Sequence, residues 1–169
     1  MIDTYIFIGM AGVGKSTIGN EVAKHFALPF LDVDNVISNQ YNLPLLKVID
    51  KIGVDEFKLL ESRIVEESTG KNVIISPGGS YIYSMNSIDK IKQNSFFIFL
   101  NDTPQNIKNR IQNISTRGII GLESKSFEQL YYEREIAYKK IADVTFNLEK
   151  KSFRQTTDDI ISYLSFYLP

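Results

Sequence analysis

The chain has 169 residues, 43% of them hydrophobic and 23% charged, and a formal net charge of -1. That length suits one domain with its own core, and the near-neutral balance argues against a nucleic-acid binder working through bulk positive charge. The absence of cysteine removes disulfides, thiolate chemistry and cysteine zinc sites. No apolar stretch reaches the roughly 18 residues of a membrane span, and the opening MIDTYIFIGM lacks the basic flank and apolar run of a leader.

Taken in chain order, short apolar runs alternate with longer amphipathic segments. The runs at 5–8, 30–33, 72–76, 95–100 and 143–148 are rich in β-branched and aromatic residues, as strands buried on both faces should be. A helix is expected at 15–26. Another is expected at 54–69, with Phe57, Leu60 and Ile64 on one face. Thr103-Pro104 reads as an N-cap with proline at the first helical position. Residues 114–126 (ISTRGIIGLESKS) have weak periodicity and two glycines, and read as a mobile loop. The stretch EKKSFR at 149–154 reads as a solvated loop, and Ile160, Ile161, Leu164 and Leu168 mark a final amphipathic helix. Alternating strands and helices imply a parallel sheet with helices on both faces, in one domain spanning 1–169.

Directly after the first run, Gly9-Met10-Ala11-Gly12-Val13-Gly14-Lys15-Ser16 matches the phosphate-loop pattern G-x-x-x-x-G-K-[ST]. Its glycines let the backbone wrap closely around phosphates, so that successive N–H groups face anionic oxygens. Lys15 adds a positive charge for the β and γ phosphates, and the Ser16 hydroxyl is suited to Mg²⁺. The helix that opens there adds the positive end of its dipole. Strand before and helix after are what the mechanism needs, so nucleotide binding is expected through Gly12, Val13, Gly14, Lys15, Ser16 and Thr17.

At the end of the second run come Asp32 and Asp34. Read as i and i+2 of a strand, they point the same way, beyond the strand ends where open α/β sheets bind ligands. Asp32 is then a candidate for holding Mg²⁺ through water, and Asp34 for accepting a proton from an acceptor hydroxyl. The plainer alternative makes them loop and cap residues, Asp34 starting a helix.

With these residues on the page, the chain resembles the shikimate kinase family along nearly its whole length. The resemblance rests on the phosphate loop, the Asp32-x-Asp34 pair, the Phe57-Lys58-x-x-Glu61 segment and Pro77-Gly78-Gly79-Ser80. It continues through Arg110, Thr116-Arg117 and the Arg134 to Asp143 segment. It implies a three-layer α-β-α fold of the P-loop, nucleoside-monophosphate-kinase-like type. The five-stranded parallel sheet would have the order 2-3-1-4-5, with a lid at about 112–126 and an acceptor-binding region at about 34–62. It also implies transfer of the ATP γ-phosphate, with Mg²⁺, to the 3-hydroxyl of shikimate, a step of aromatic amino-acid biosynthesis, by a cytoplasmic monomer. Asp34 would be the base and partner of the acceptor hydroxyls. Arg117 would reach the phosphates from the lid, and Arg110 would lie along the adenine. Arg134, in Glu133-Arg134-Glu135-Ile136-Ala137-Tyr138, would grip the acceptor carboxylate; Gly78 and Gly79 would offer it bare backbone. From their own surroundings, Arg110 and Arg134 read only as solvated helix-face residues.

The chain departs from the family's pattern on the acceptor side alone. Lys58 stands where the family has arginine, Ser80 replaces a third glycine, and Ile136-Ala137 replace the Pro-Leu of R-x-P-L-Y. Lysine offers a point charge where arginine offers a planar fork. Two other readings therefore stay open: a kinase for another small hydroxyl compound such as a sugar acid or nucleoside, or a nucleotide-binding regulator that does not catalyse.

Overall fold

The computed structural model describes residues 2–111 and 118–168. Five strands form one sheet in the order β2-β3-β1-β4-β5, and every neighbouring pair is parallel. They are β1 (Thr4–Ile8), β2 (Phe30–Asp32), β3 (Val73–Ser76), β4 (Ser95–Asn101) and β5 (Val144–Asn147). All five residues of β1 and all four of β3 are buried, which a two-residue side-chain period allows only if both faces of the sheet are covered. Helices supply that cover: α1 (Lys15–His25), α2 (Val33–Tyr41), α3 (Leu45–Ile52), α4 (Val54–Ser68), α5 (Met85–Ile91), α6 (Pro104–Arg110), α7 (Phe127–Ile141) and α8 (Phe153–Leu164). A short 3₁₀ turn, Tyr81–Tyr83, precedes α5.

This order fixes where a ligand can sit. The chain runs from β1 outward to β2, returns to β3 beside β1, then crosses β1 to β4. The carboxyl ends of β1, β3 and β4 therefore meet at one edge, next to the point where strand order reverses. The loops leaving those ends are Gly9 to Gly14, Pro77 to Ser80 and Asp102-Thr103.

Two local expectations need correction. Asp32 and Asp34 do not share a strand, because β2 stops at Asp32. The Asp32 carboxylate accepts the Asn35 N–H at 3.1 Å and caps α2; Asp34 is the second residue of that helix, in its first turn. The 149–154 stretch is not all solvated loop, since Ser152 and Gln155 form a reciprocal capping box that starts α8 at Phe153. The C-terminal aromatics divide. Tyr163 packs edge-on against Phe146 and Tyr167 stacks near Phe96, whereas Phe166 is 87% exposed.

Candidate functional site

Gly14 caps α1 with φ 112°, a left-handed conformation that favours glycine. It turns the chain so that the first α1 amide bonds begin at the loop, with Ile18 N–H donating to Gly14 O at 2.9 Å. The Lys15 ammonium donates to the carbonyls of Gly9 (2.9 Å) and Met10 (3.2 Å). The side chain is thereby folded back along the loop with its charge on the cleft side. The Val13 side chain is buried in the core and its N–H donates to Met10 O at 3.2 Å, so it also shapes the loop.

One cleft of about 280 Å³ runs along the carboxyl edge of the sheet. Gly12, Gly14, Lys15, Ser16 and Thr17 line one end together with Arg110 and Phe153; Asp34, Gly78, Gly79, Ser80 and Arg134 line the other. Arg110 is held by the fully buried Asp102, Nη2 to Oδ2 at 2.5 Å, and its guanidinium lies 4.9 Å from the centre of the Phe153 ring. The pair Arg110–Phe153 thus forms a flat, polarisable wall beside the phosphate loop. Ser16 and Asp32 border a neighbouring groove. No cluster of three or more carboxylates or imidazoles able to hold a metal occurs among the described residues. The donor set fits a Mg²⁺ held mainly by phosphate oxygens and water, with few protein ligands.

The acceptor end is built around Gly78. Its N–H donates to the Glu61 carboxylate at 2.7 Å. A Cβ there would lie 2.7 Å from Glu61 Oε1 and 2.9 Å from Asp34 Oδ1, so any side chain at 78 must displace one or both acids. Burial, reinforced by the negative charge of Asp34, pushes the Glu61 carboxyl up to about 8, against the lowering influence of the Gly78 amide, Lys15 and Arg134. Glu61 is therefore a buried acid that keeps its proton at neutral pH. A Cβ on Gly79 would meet Ala11 N and Arg134 Nη1, each at 3.1 Å. This turn therefore packs directly between the phosphate loop and Arg134. The buried Tyr138 hydroxyl fixes it by donating to Gly79 O at 2.5 Å.

Arg134 is 1% exposed, which corrects the solvated helix-face reading. Its Nη2 donates to Ile120 O at 2.6 Å, and its Nε has no hydrogen-bond partner among the described residues. A buried guanidinium with a free donor and no carboxylate bonded to it is suited to receive an anion. Lys58 does not line the cleft; its ammonium rests 5.5 Å from the centre of the Tyr83 ring. Arg117 lies outside the described residues, as does the first part of the expected lid.

Sequence reasoning passed over Phe153 and Tyr83, and left Arg134 to family pattern. A signal existed for two of them. Leu130, Tyr131, Arg134, Tyr138 and Ile141 share the buried stripe of α7, so an arginine stands at a core-facing helical position. Ser152-x-x-Gln155 announces a helix whose first residue is Phe153. Nothing local singles out Tyr83.

Known proteins resemble this chain over most of its length. A family model described as shikimate kinase matches residues 11–165. A shikimate kinase of Macrococcus caseolyticus is 32% identical over 146 residues, covering 85% of this chain and 86% of that protein. One of Legionella pneumophila is 30% identical over 160 residues, covering 93% and 91%. Among solved structures, shikimate kinase from Acinetobacter baumannii in complex with shikimate superposes with a TM-score of 0.85 at 21% identity, covering 99% of this chain and 95% of that one. At that identity the superposition speaks for the fold.

Proposed function

Because the chain belongs to the shikimate kinase family, we propose that it transfers the γ-phosphoryl group of ATP to the 3-hydroxyl of shikimate. The observation that supports this most is the single cleft that places a phosphate loop at one end and Asp34, the Gly78-Gly79 turn and the buried Arg134 at the other. A donor and an acceptor bound there would lie side by side, and holding reactants in register is most of what phosphoryl transfer requires of a protein.

Each residue then has a defined task. Gly12 and Gly14 shape the loop whose amides face the phosphates; Val13 sets its curvature, and Lys15 neutralises charge on the transferring group. Ser16 and Asp32 are the candidates to hold the metal and its waters, Thr17 serves the nucleotide phosphates, and a bound ion would offset their negative charge. Arg110 and Phe153 flank the nucleotide base. Asp34 accepts the proton of the acceptor hydroxyl as that oxygen bonds to phosphorus and the bond from phosphorus to the departing ADP oxygen breaks. Arg134 takes the acceptor carboxylate from inside the cleft, Lys58 is assigned to the same carboxylate on family pattern alone, and Gly78 and Gly79 allow close approach of backbone. Arg117 is assigned to the lid on family pattern alone. The chain acts as a cytoplasmic monomer whose partners are small molecules. No helix among the described residues is long and apolar enough to cross a membrane.

An acceptor panel tests the assignment. ADP release is measured with MgATP and shikimate, gluconate or a nucleoside in turn. Shikimate-dependent release is expected. Turnover only with another acceptor would replace shikimate in the scheme, and nucleotide binding without any turnover would make the chain a regulator.

A further inference from the structure

Tyr83 ends the 3₁₀ turn that follows Gly78-Gly79-Ser80 and sits between two helices carrying cations. From α4, the Lys58 ammonium lies 5.5 Å from its ring centre; from α7, the Arg134 guanidinium carbon lies 5.4 Å from it. The hydroxyl donates to Glu133 Oε1 at 2.6 Å, and Glu133 Oε2 accepts the Lys125 ammonium. An aromatic face attracts cations through its quadrupole, and donating a proton toward a carboxylate makes the ring richer in electrons. Two like charges on separate helices repel at short range; a shared ring offsets that repulsion and brings both to one place.

The need for such a device follows from the lysine. Arginine at 58 would orient itself on a carboxylate through its planar fork, whereas an ammonium on a flexible stem has no preferred approach. Its direction must come from a neighbour, and the neighbour in contact is Tyr83. The ring does not hold the core together, since Tyr83 is 39% exposed.

We propose that Tyr83 is a positioning residue for acceptor specificity: its ring holds Lys58 beside Arg134, so that the two cations receive one carboxylate of the acceptor together. This rests on the acceptor assignment made above. Tyr83 does not itself line the cleft, so it acts through the two cations and not by touching nucleotide or acceptor.

Steady-state kinetics on the full chain test it with Tyr83→Leu, Tyr83→Phe and Tyr83→Leu in a Lys58→Met background. Tyr83→Leu should raise KM for shikimate roughly three- to thirtyfold, the range of one cation–π contact, with KM for MgATP and kcat within about twofold. Tyr83→Phe, which keeps the ring, should recover most of the loss, and the effect of Tyr83→Leu should shrink when Lys58 is already Met. An unchanged shikimate KM in Tyr83→Leu overturns the proposal. So does a parallel rise in both KM values, a Phe variant as impaired as the Leu variant, or an undiminished effect without Lys58. Wild-type protein in the same assay separates the two claims: no shikimate turnover there refutes the acceptor itself and takes the Tyr83 assignment with it.

Discussion

A methyl group at residue 78 would press on two acids at once, Glu61 at 2.7 Å and Asp34 at 2.9 Å. Glu61 is fully buried and already accepts the Gly78 N–H, so the added carbon displaces the acids from their places, Asp34 included. Gly78→Ala should therefore cut shikimate turnover by ~10²-fold or more, the scale of a displaced general base, while nucleotide affinity measured by calorimetry changes little. The Glu61 proton gives a second expectation. Its folded pKa of about 8 stands above the ordinary value of 4.5. Below that ordinary value both states are protonated. As pH rises toward 8 the unfolded chain gives up the proton first, so the contribution of this group to stability falls. Urea unfolding at pH 5, 6.5 and 8 should show Glu61→Gln gaining on wild type by up to about 1.4 kcal/mol per pH unit. Parallel pH profiles would show that the acid is ionised in the fold.

Helix starts decide much of the site's geometry, and they were the least legible feature. Asp32 and Asp34 alternate as strand residues do, and Val33 between them is β-branched; yet the Asp32 side chain bonds the Asn35 amide and ends β2. The alternation was real but ran one residue too far, because a cap and a strand end share the same residue type. The strands themselves were plain in the sequence. Residues buried on both faces must be apolar throughout, and the run at 95–100 differs from β4 by one residue. Helix α7 shows the opposite case. Ser126 and Gln129 form a capping box, with Gln129 N–H donating to Ser126 Oγ at 3.2 Å and Ser126 N–H to Gln129 Oε1 at 2.9 Å. This fixes the first turn of the helix that presents Arg134 and Tyr138. Ser126→Ala should cost about 1 kcal/mol of stability in urea unfolding; no change would mean that packing alone sets the start of α7.

Across the whole molecule, the phosphate loop could be inferred from a line of text, because strand, loop and helix are contiguous in sequence there, while the sheet order came with the family resemblance. The acceptor side could not. Glu61, the Gly78-to-Tyr83 stretch and Arg134 come from three separate segments and meet only when β3 returns beside β1. Family resemblance supplied Arg134 and Glu61, but not Tyr83. The central claim is that both ends of this cleft serve one reaction. Phosphorus NMR of the products after incubation with MgATP and shikimate tests it most directly. The account predicts one new phosphomonoester, coupled to the proton on carbon 3, formed in step with ADP. ADP accompanied only by inorganic phosphate, or an ester at another hydroxyl, would contradict it.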